Sequence, residues 1–128
     1  MPLRFQVDHA QRTVVGVAEG DVTLQDVIDF TLEIERHNAA GYHKIVDVMA
    51  GTSKLSAEDF VAYRGHMRGR QRAHGPLALV TSDRNGPLAR LFAQFTAKER
   101  PAGVFGSIHD ARKWLRDQPV VARPHTPR

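Results

Sequence analysis

Three times in this chain a Ser or Thr stands three residues before an Asp at the start of an apolar helical stretch: Thr23 and Asp26, Ser56 and Asp59, Ser107 and Asp110. At that spacing the hydroxyl accepts from an orphan backbone N–H of the first turn, and the carboxylate reaches back to the capping residue's own N–H. Each start follows a short apolar or β-branched run: Val14 to Ala18, Ile45 to Met49, and Val104-Phe105. A chain punctuated in this way alternates strand with helix. Parallel strands joined through helices are connected by right-handed crossovers.

The remaining segments complete the order. Leu3, Phe5 and Val7 alternate with Arg4, Gln6 and Asp8, the period of a strand with one buried face. It pairs antiparallel with the run from Val14 and so sits at an edge. Gly16 inside that run marks either a bulge or a close helix approach, and Gly20-Asp21 is expected to end the strand. The first helix carries Leu24, Val27, Ile28, Thr31 and Ile34 on its inner stripe and runs to about Asn38, with Gly41 supporting the reversal. Ala50-Gly51-Thr52-Ser53-Lys54 reads as a loop. A second helix from Ser56 carries Phe60, Val61, Tyr63 and Met67, is weakened by Gly65 and Gly69, and stops by Pro76. Leu77 to Thr81 is a strand. Pro87 suits the first turn of a third helix, on which Leu88, Leu91, Phe92 and Phe95 fall at i, i+3, i+4 and i+7. A fourth helix places Ile108, Ala111 and Leu115 inward, with Trp114 beside them.

The expected architecture is one α/β domain over residues 1–118. Its single mixed, largely parallel sheet of about five strands is covered on both faces by about four helices and carries the first strand antiparallel at an edge. Residues 119–128, with Pro119, Pro124 and Pro127, form an extended or disordered tail. The 128 residues leave room for one domain. There is no Cys, which excludes disulfides, thiolate chemistry and Cys-ligated zinc. No apolar run reaches the roughly 18 residues of a membrane span, and Met-Pro-Leu-Arg-Phe lacks a signal core. A cytoplasmic location is expected. Residues 1–63 carry a net charge of −5 and residues 64–128 a net of +9, an asymmetry that suits an acidic partner or self-association unless folding mingles the charges.

Gly20-Asp21-Val22-Thr23 before the first helix, Ile45-Val46-Asp47, Ala78-Leu79-Val80, and the ending Val104-Phe105 followed by Ala111 and Trp114-Leu115 together carry a likeness. In their order and spacing the chain resembles the SpoIIAA-like proteins of the STAS/SEC14-type fold, over roughly residues 3–117. The resemblance implies a small α/β domain without a known catalytic residue. STAS relatives act in protein–protein regulation, some through a phosphorylated Ser at the start of the helix after the third strand. SEC14-type relatives hold apolar ligands between helix and sheet. Ser56 stands at the comparable place but departs from the pattern: Leu55 precedes it where an Asp is expected, and Glu58 and Asp59 would repel a phosphate.

No catalytic residue and no metal ligand set is predicted. Asp47 and Asp83 fall near the carboxyl ends of strands, where open α/β sheets bind ligands. Asp47 is read either as a polar site or as an acceptor for loop N–H groups. A phosphate receiver would need an acidic pair after the first strand and a Lys after the last, and neither is present. Gly51-Thr52-Ser53-Lys54 lacks the frame of a P-loop. The seven His contain no i, i+4 helical pair. Arg64, Arg68 and Arg72 share a helix face and form a candidate basic interaction face. No aromatic interleaves them to stack on bases, which argues against nucleic acid.

The sequence therefore points to a non-catalytic binding or regulatory module, without cofactor, for a protein partner. Its alternative is a carrier of a small apolar or lipid-like ligand between helices and sheet, with Phe60, Tyr63, Arg64, Met67, Phe92 and Phe95 as the candidate lining. A homodimer is compatible with either.

Overall fold

Leu3–Asp8 forms β1 and Thr13–Val22 forms β2, followed by α1 (Leu24–Arg36), β3 (His43–Ser53), α2 (Ala57–Met67), β4 (Leu77–Val80), α3 (Pro87–Thr96), β5 (Ala102–Phe105) and α4 (Ile108–Leu115). These come from a computed structural model that describes residues 3–67, 74–83, 86–96 and 100–118, with the backbone alone for Ser53, Met67, Phe95 and Thr96. The tail from 119 lies outside the described residues, as do Arg68, Gly69 and Arg72.

The five strands lie in chain order, β1-β2-β3-β4-β5. β1 is antiparallel to β2, and every later pair is parallel. This order decides where the helices go. Each parallel strand is added on the same side of the last, so crossovers of one hand put α1, α2 and α3 on one face of the sheet. α4 follows the last strand and is not a crossover, so it packs on the opposite face. Leu3, Val14, Ala18, Phe30 and Ile34 belong to the core under α1. Ile45, Ala78, Val80, Ala111 and Leu115 form the core under α4. The expectation that both faces are covered is thus corrected in part. Among the described residues α4 alone packs on the second face, mainly against β3, β4 and β5. On β1 the side chains of Arg4, Gln6 and Asp8 remain exposed, with Arg4 ion-paired to Glu19 of β2.

Two strand ends run further than the sequence suggests. β2 continues through Gly20-Asp21, and β3 continues through Gly51 to Ser53 where a loop was expected. The two extensions pair with each other, Gly20 with Gly51 and Asp21 with Thr52, after a register shift between Val17 and Glu19. The bulge therefore lies beside Ala18, not at Gly16, whose missing side chain instead admits the Phe30 ring of α1. Gly20 takes a φ of +83°, and a Cβ on Gly51 would lie 2.9 Å from that of Ala18. Glycine allows both the turn of the bulged strand and the close approach. The Thr52 hydroxyl donates to Asp21 Oδ1 at 3.2 Å.

α1 ends earlier than its periodicity implies. Asn38 takes a φ of +58°, its N–H reaches Glu35 O at 3.0 Å, and the Ala39 N–H reaches Ile34 O at 3.0 Å. This is a Schellman ending in which Asn replaces the usual Gly. The reversal sits there and not at Gly41. The three expected N-terminal caps are present in bonding. Thr23 and Asp26 form a reciprocal box, the Ser56 and Asp59 bonds run both ways, and Ser107 Oγ accepts from the Asp110 N–H at 3.1 Å. Replacing Ser56 with Ala is expected to cost about 1 kcal/mol in a denaturant titration, because the Asp59 N–H loses its acceptor. An unchanged midpoint would show that the cap contributes nothing.

Candidate functional site

Stacking three helices on one face leaves a space between α1, α2, α3 and the sheet. It is a cavity of about 160 Å³. Its floor is Val46 and Val48 of β3 with Leu77 and Leu79 of β4. Its roof is Phe30 and Ile34 of α1, Phe60 and Tyr63 of α2, and Leu88 and Phe92 of α3. Strand parity builds the floor: Val46 pairs with Leu79, and side chains two apart on a parallel strand share a face. Across the roof, Tyr63 Oη lies 2.8 Å from Thr31 Oγ1. The Thr31 hydroxyl donates its one hydrogen to Val27 O at 3.0 Å, so the tyrosine is the donor in the link between α1 and α2.

Of the six side chains expected to line a pocket, Phe60, Tyr63, Arg64 and Phe92 are brought to this cavity. Met67 and Phe95 have side chains outside those described. Arg64 is exposed at its rim in the last turn of α2, while Arg68 and Arg72 of the expected basic face lie outside the described residues. Gly65 does not border the cavity, and a Cβ built there meets nothing within 4 Å. A larger residue at 65 would not fill the space.

Neither Asp47 nor Asp83, considered at the carboxyl edge, lines the cavity; polar side chains line it at both ends of the strands, with Thr52 and Asp59 toward the carboxyl edge. Asp47 lies on the α4 face, in register with Val80, and its Oδ1 accepts from the Met49 N–H at 2.9 Å. The acceptor reading of that residue is the one seen. The polar side chains that do line the cavity near the strand starts are Lys44, His74 and Arg100. Lys44 is the second residue of β3, on the same face as Val46, and is 2% exposed. Its Nζ donates to Tyr42 O at 3.0 Å and to Ala40 O. Burial, and secondly the charge of Arg100, hold the amine down from an ordinary 10.5 to about 7. His74 Nε2 lies 3.3 Å from Oε2 of Glu35, which projects from the end of α1 and is itself buried. The half-buried Arg100 has its Nε without a hydrogen-bond partner among the described residues.

Sequence reasoning missed Lys44 because the strand was started at Ile45. Extended by one residue, the alternation Lys44, Val46, Val48 would have shown a cation on an apolar face. Glu35, His74 and Arg100 carry no comparable local signal, since they come from three separate segments, the end of α1 and the entries to β4 and β5, with Glu35 meeting His74 only in the fold.

No family model and no curated protein matches the chain. Solved structures do. An uncharacterized DUF3478-family protein with a SpoIIAA-like fold from Shewanella loihica PV-4 is similar over 88% of this chain and 93% of its own, at 20% identity and a TM-score of 0.57. The anti-sigma factor antagonist SpoIIAA in its unphosphorylated form is similar over 89% of this chain and 99% of its own, at 17% identity and a TM-score of 0.54.

The chain has a SpoIIAA-like fold.

Within the SpoIIAA-like fold of this chain, Ser56 is the N-terminal cap of α2, its Oγ accepting from the Asp59 N–H at 3.2 Å and donating to Asp59 Oδ2 at the same distance. No group of three metal-ligating side chains occurs among the described residues. No helix among them is long and apolar enough to cross a membrane.

Proposed function

We propose that this SpoIIAA-like domain is a non-catalytic binding module that takes a small, largely apolar molecule between α1–α3 and the sheet. The observation that carries the reading is the cavity itself, about 160 Å³ and walled by aliphatic and aromatic side chains from β3, β4 and three helices. Apolar space of roughly 150 Å³ is enough to hold benzene or xenon in a protein interior. Binding without chemistry is supported by how the nearby hydroxyls are used: Ser56 caps a helix, and Thr31 and Tyr63 bond each other.

The test is a benzene titration followed by amide NMR shifts. Shifts are expected at Ile34, Val46 and Leu79, and are expected to vanish in Val48→Phe, whose ring would occupy the space. Wild-type spectra that do not move would remove the proposal.

A second reading is protein–protein regulation, favoured by two exposed apolar side chains, Val61 on α2 at 58% and Met49 on β3 at 49%. The similar SpoIIAA structure is that of an anti-sigma factor antagonist, a protein defined by its effect on another protein.

A further inference from the structure

We propose that the ligand of this cavity is an anion: a small monocarboxylate whose charged group sits at Lys44 and Arg100 and whose apolar body lies against Val46, Leu79 and Phe30. The inference rests on the cavity-binding reading and names the class of molecule.

The argument begins with the charges that line the space. Lys44, Arg64 and Arg100 line it, as do Asp59 and His74. Two carboxylates lie close to the space. Asp59 accepts from the Ser56 N–H at 2.9 Å as part of the α2 cap, and Glu35 turns toward His74, with Oε2 3.3 Å from Nε2. No carboxylate lies within ion-pair distance of Lys44 or Arg100 among the described residues. A buried ammonium beside a guanidinium in an apolar cavity is an arrangement that costs stability unless a counter-charge occupies it.

The donors also point the same way. An ammonium has three, and the carbonyls of Ala40 and Tyr42 take two from Lys44. The third, with Arg100 Nε, is left for an acceptor supplied from elsewhere. Two such donors suit the two oxygens of a carboxylate, and the surrounding side chains suit a short aliphatic or aromatic body.

The low proton affinity of Lys44 adds a consequence. A bound carboxylate favours the protonated amine, so affinity falls as pH rises from 6.5 toward 9. The other titratable or charged groups on the elements around the cavity are Asp59, Tyr63 and Arg64 on α2, His74 before β4 and Arg100 before β5, with Glu35 of α1 against His74; of these Arg100 acts on the amine. The effect is assigned to Lys44 by comparison with its variant.

The experiment titrates the full chain with hexanoate, 1-hexanol and acetate at pH 6.5, by calorimetry and amide NMR. Hexanoate is expected to bind at least about tenfold more tightly than hexanol, the preference one charge-assisted hydrogen bond supplies. That preference is expected to disappear in Lys44→Met and to shrink in Arg100→Gln, both checked for an intact fold by their amide spectra. Equal binding of hexanoate and hexanol by the wild type, or an unchanged preference in both variants, overturns the anion proposal while hexanol binding keeps the cavity reading. Acetate binding as tightly as hexanoate also overturns it, since the apolar body would then contribute nothing. If neither six-carbon probe binds, the cavity reading falls with it.

Discussion

Lys44→Met is expected to remove a pH dependence of stability that the wild-type protein shows between about pH 7 and pH 10.5. The amine is held down to about 7 in the folded state against an ordinary 10.5. Below pH 7 it is charged in both states, and the full penalty of burying the charge is present. Between the two values the unfolded chain holds the proton and the folded chain does not, so stability rises with pH at roughly 1.4 kcal/mol per unit. Above 10.5 the penalty is gone. The gap between wild type and variant should therefore change by roughly 4–5 kcal/mol across this window. At pH 6 the variant should be the more stable protein. The gain is partly offset because the Ala40 and Tyr42 carbonyls lose a donor, at about 1 kcal/mol or more each. Denaturant titrations of both proteins at pH 6, 8 and 10 measure this. Parallel stability–pH curves would falsify the assignment of a buried charge to Lys44.

Gly75→Ala is expected to be the most damaging small substitution in the described residues. An added Cβ would stand 2.4 Å from Gly41 O and from Tyr42 O. These are main-chain atoms and cannot rotate aside. The Gly75 N–H meanwhile donates to Ala40 O at 2.8 Å, and the next peptide accepts from the Lys44 N–H through Pro76 O at 2.9 Å. Relief of the clash must lift the segment off both. A loss of about 3 kcal/mol is expected, read as a fall of the thermal midpoint on the order of 10 °C. His74 would move with it, so the Glu35 contact should loosen as well. A variant within about 1 kcal/mol of wild type would show that the 74–76 segment is free to shift.

The parts of this fold that were legible in the sequence are those written in local chemistry. Thr23, Ser56 and Ser107 announced their helices because a cap is a contact between residues three apart. Leu3, Phe5 and Val7 announced an edge strand because alternation is a property of the strand alone. What was illegible depended on a partner distant in the chain. Gly51-Thr52-Ser53 has the composition of a loop and is a strand because Gly20-Asp21 extends beside it. Phe60, Tyr63 and Phe92 could be proposed as a lining because each lies on an apolar helix face. Lys44 could not, since its side chain is drawn inward by the pleat of a strand that starts two residues earlier than expected, at His43, and its neighbour Arg100 enters from a different crossover.

α2 offers none of its described side chains to full burial; Asp59, Phe60 and Tyr63 are only half covered. The sheet beneath it, by contrast, is gripped from behind by α4 through Ile45, Ala78 and Val80. Free energies of local opening follow such differences in buried contact. α2 therefore belongs to the fraction of the molecule that detaches first, while β3 and β4 stay anchored from the other side. A molecule entering the cavity then has a route in that asks nothing of the sheet: the roof yields, and the floor keeps the shape that receives it.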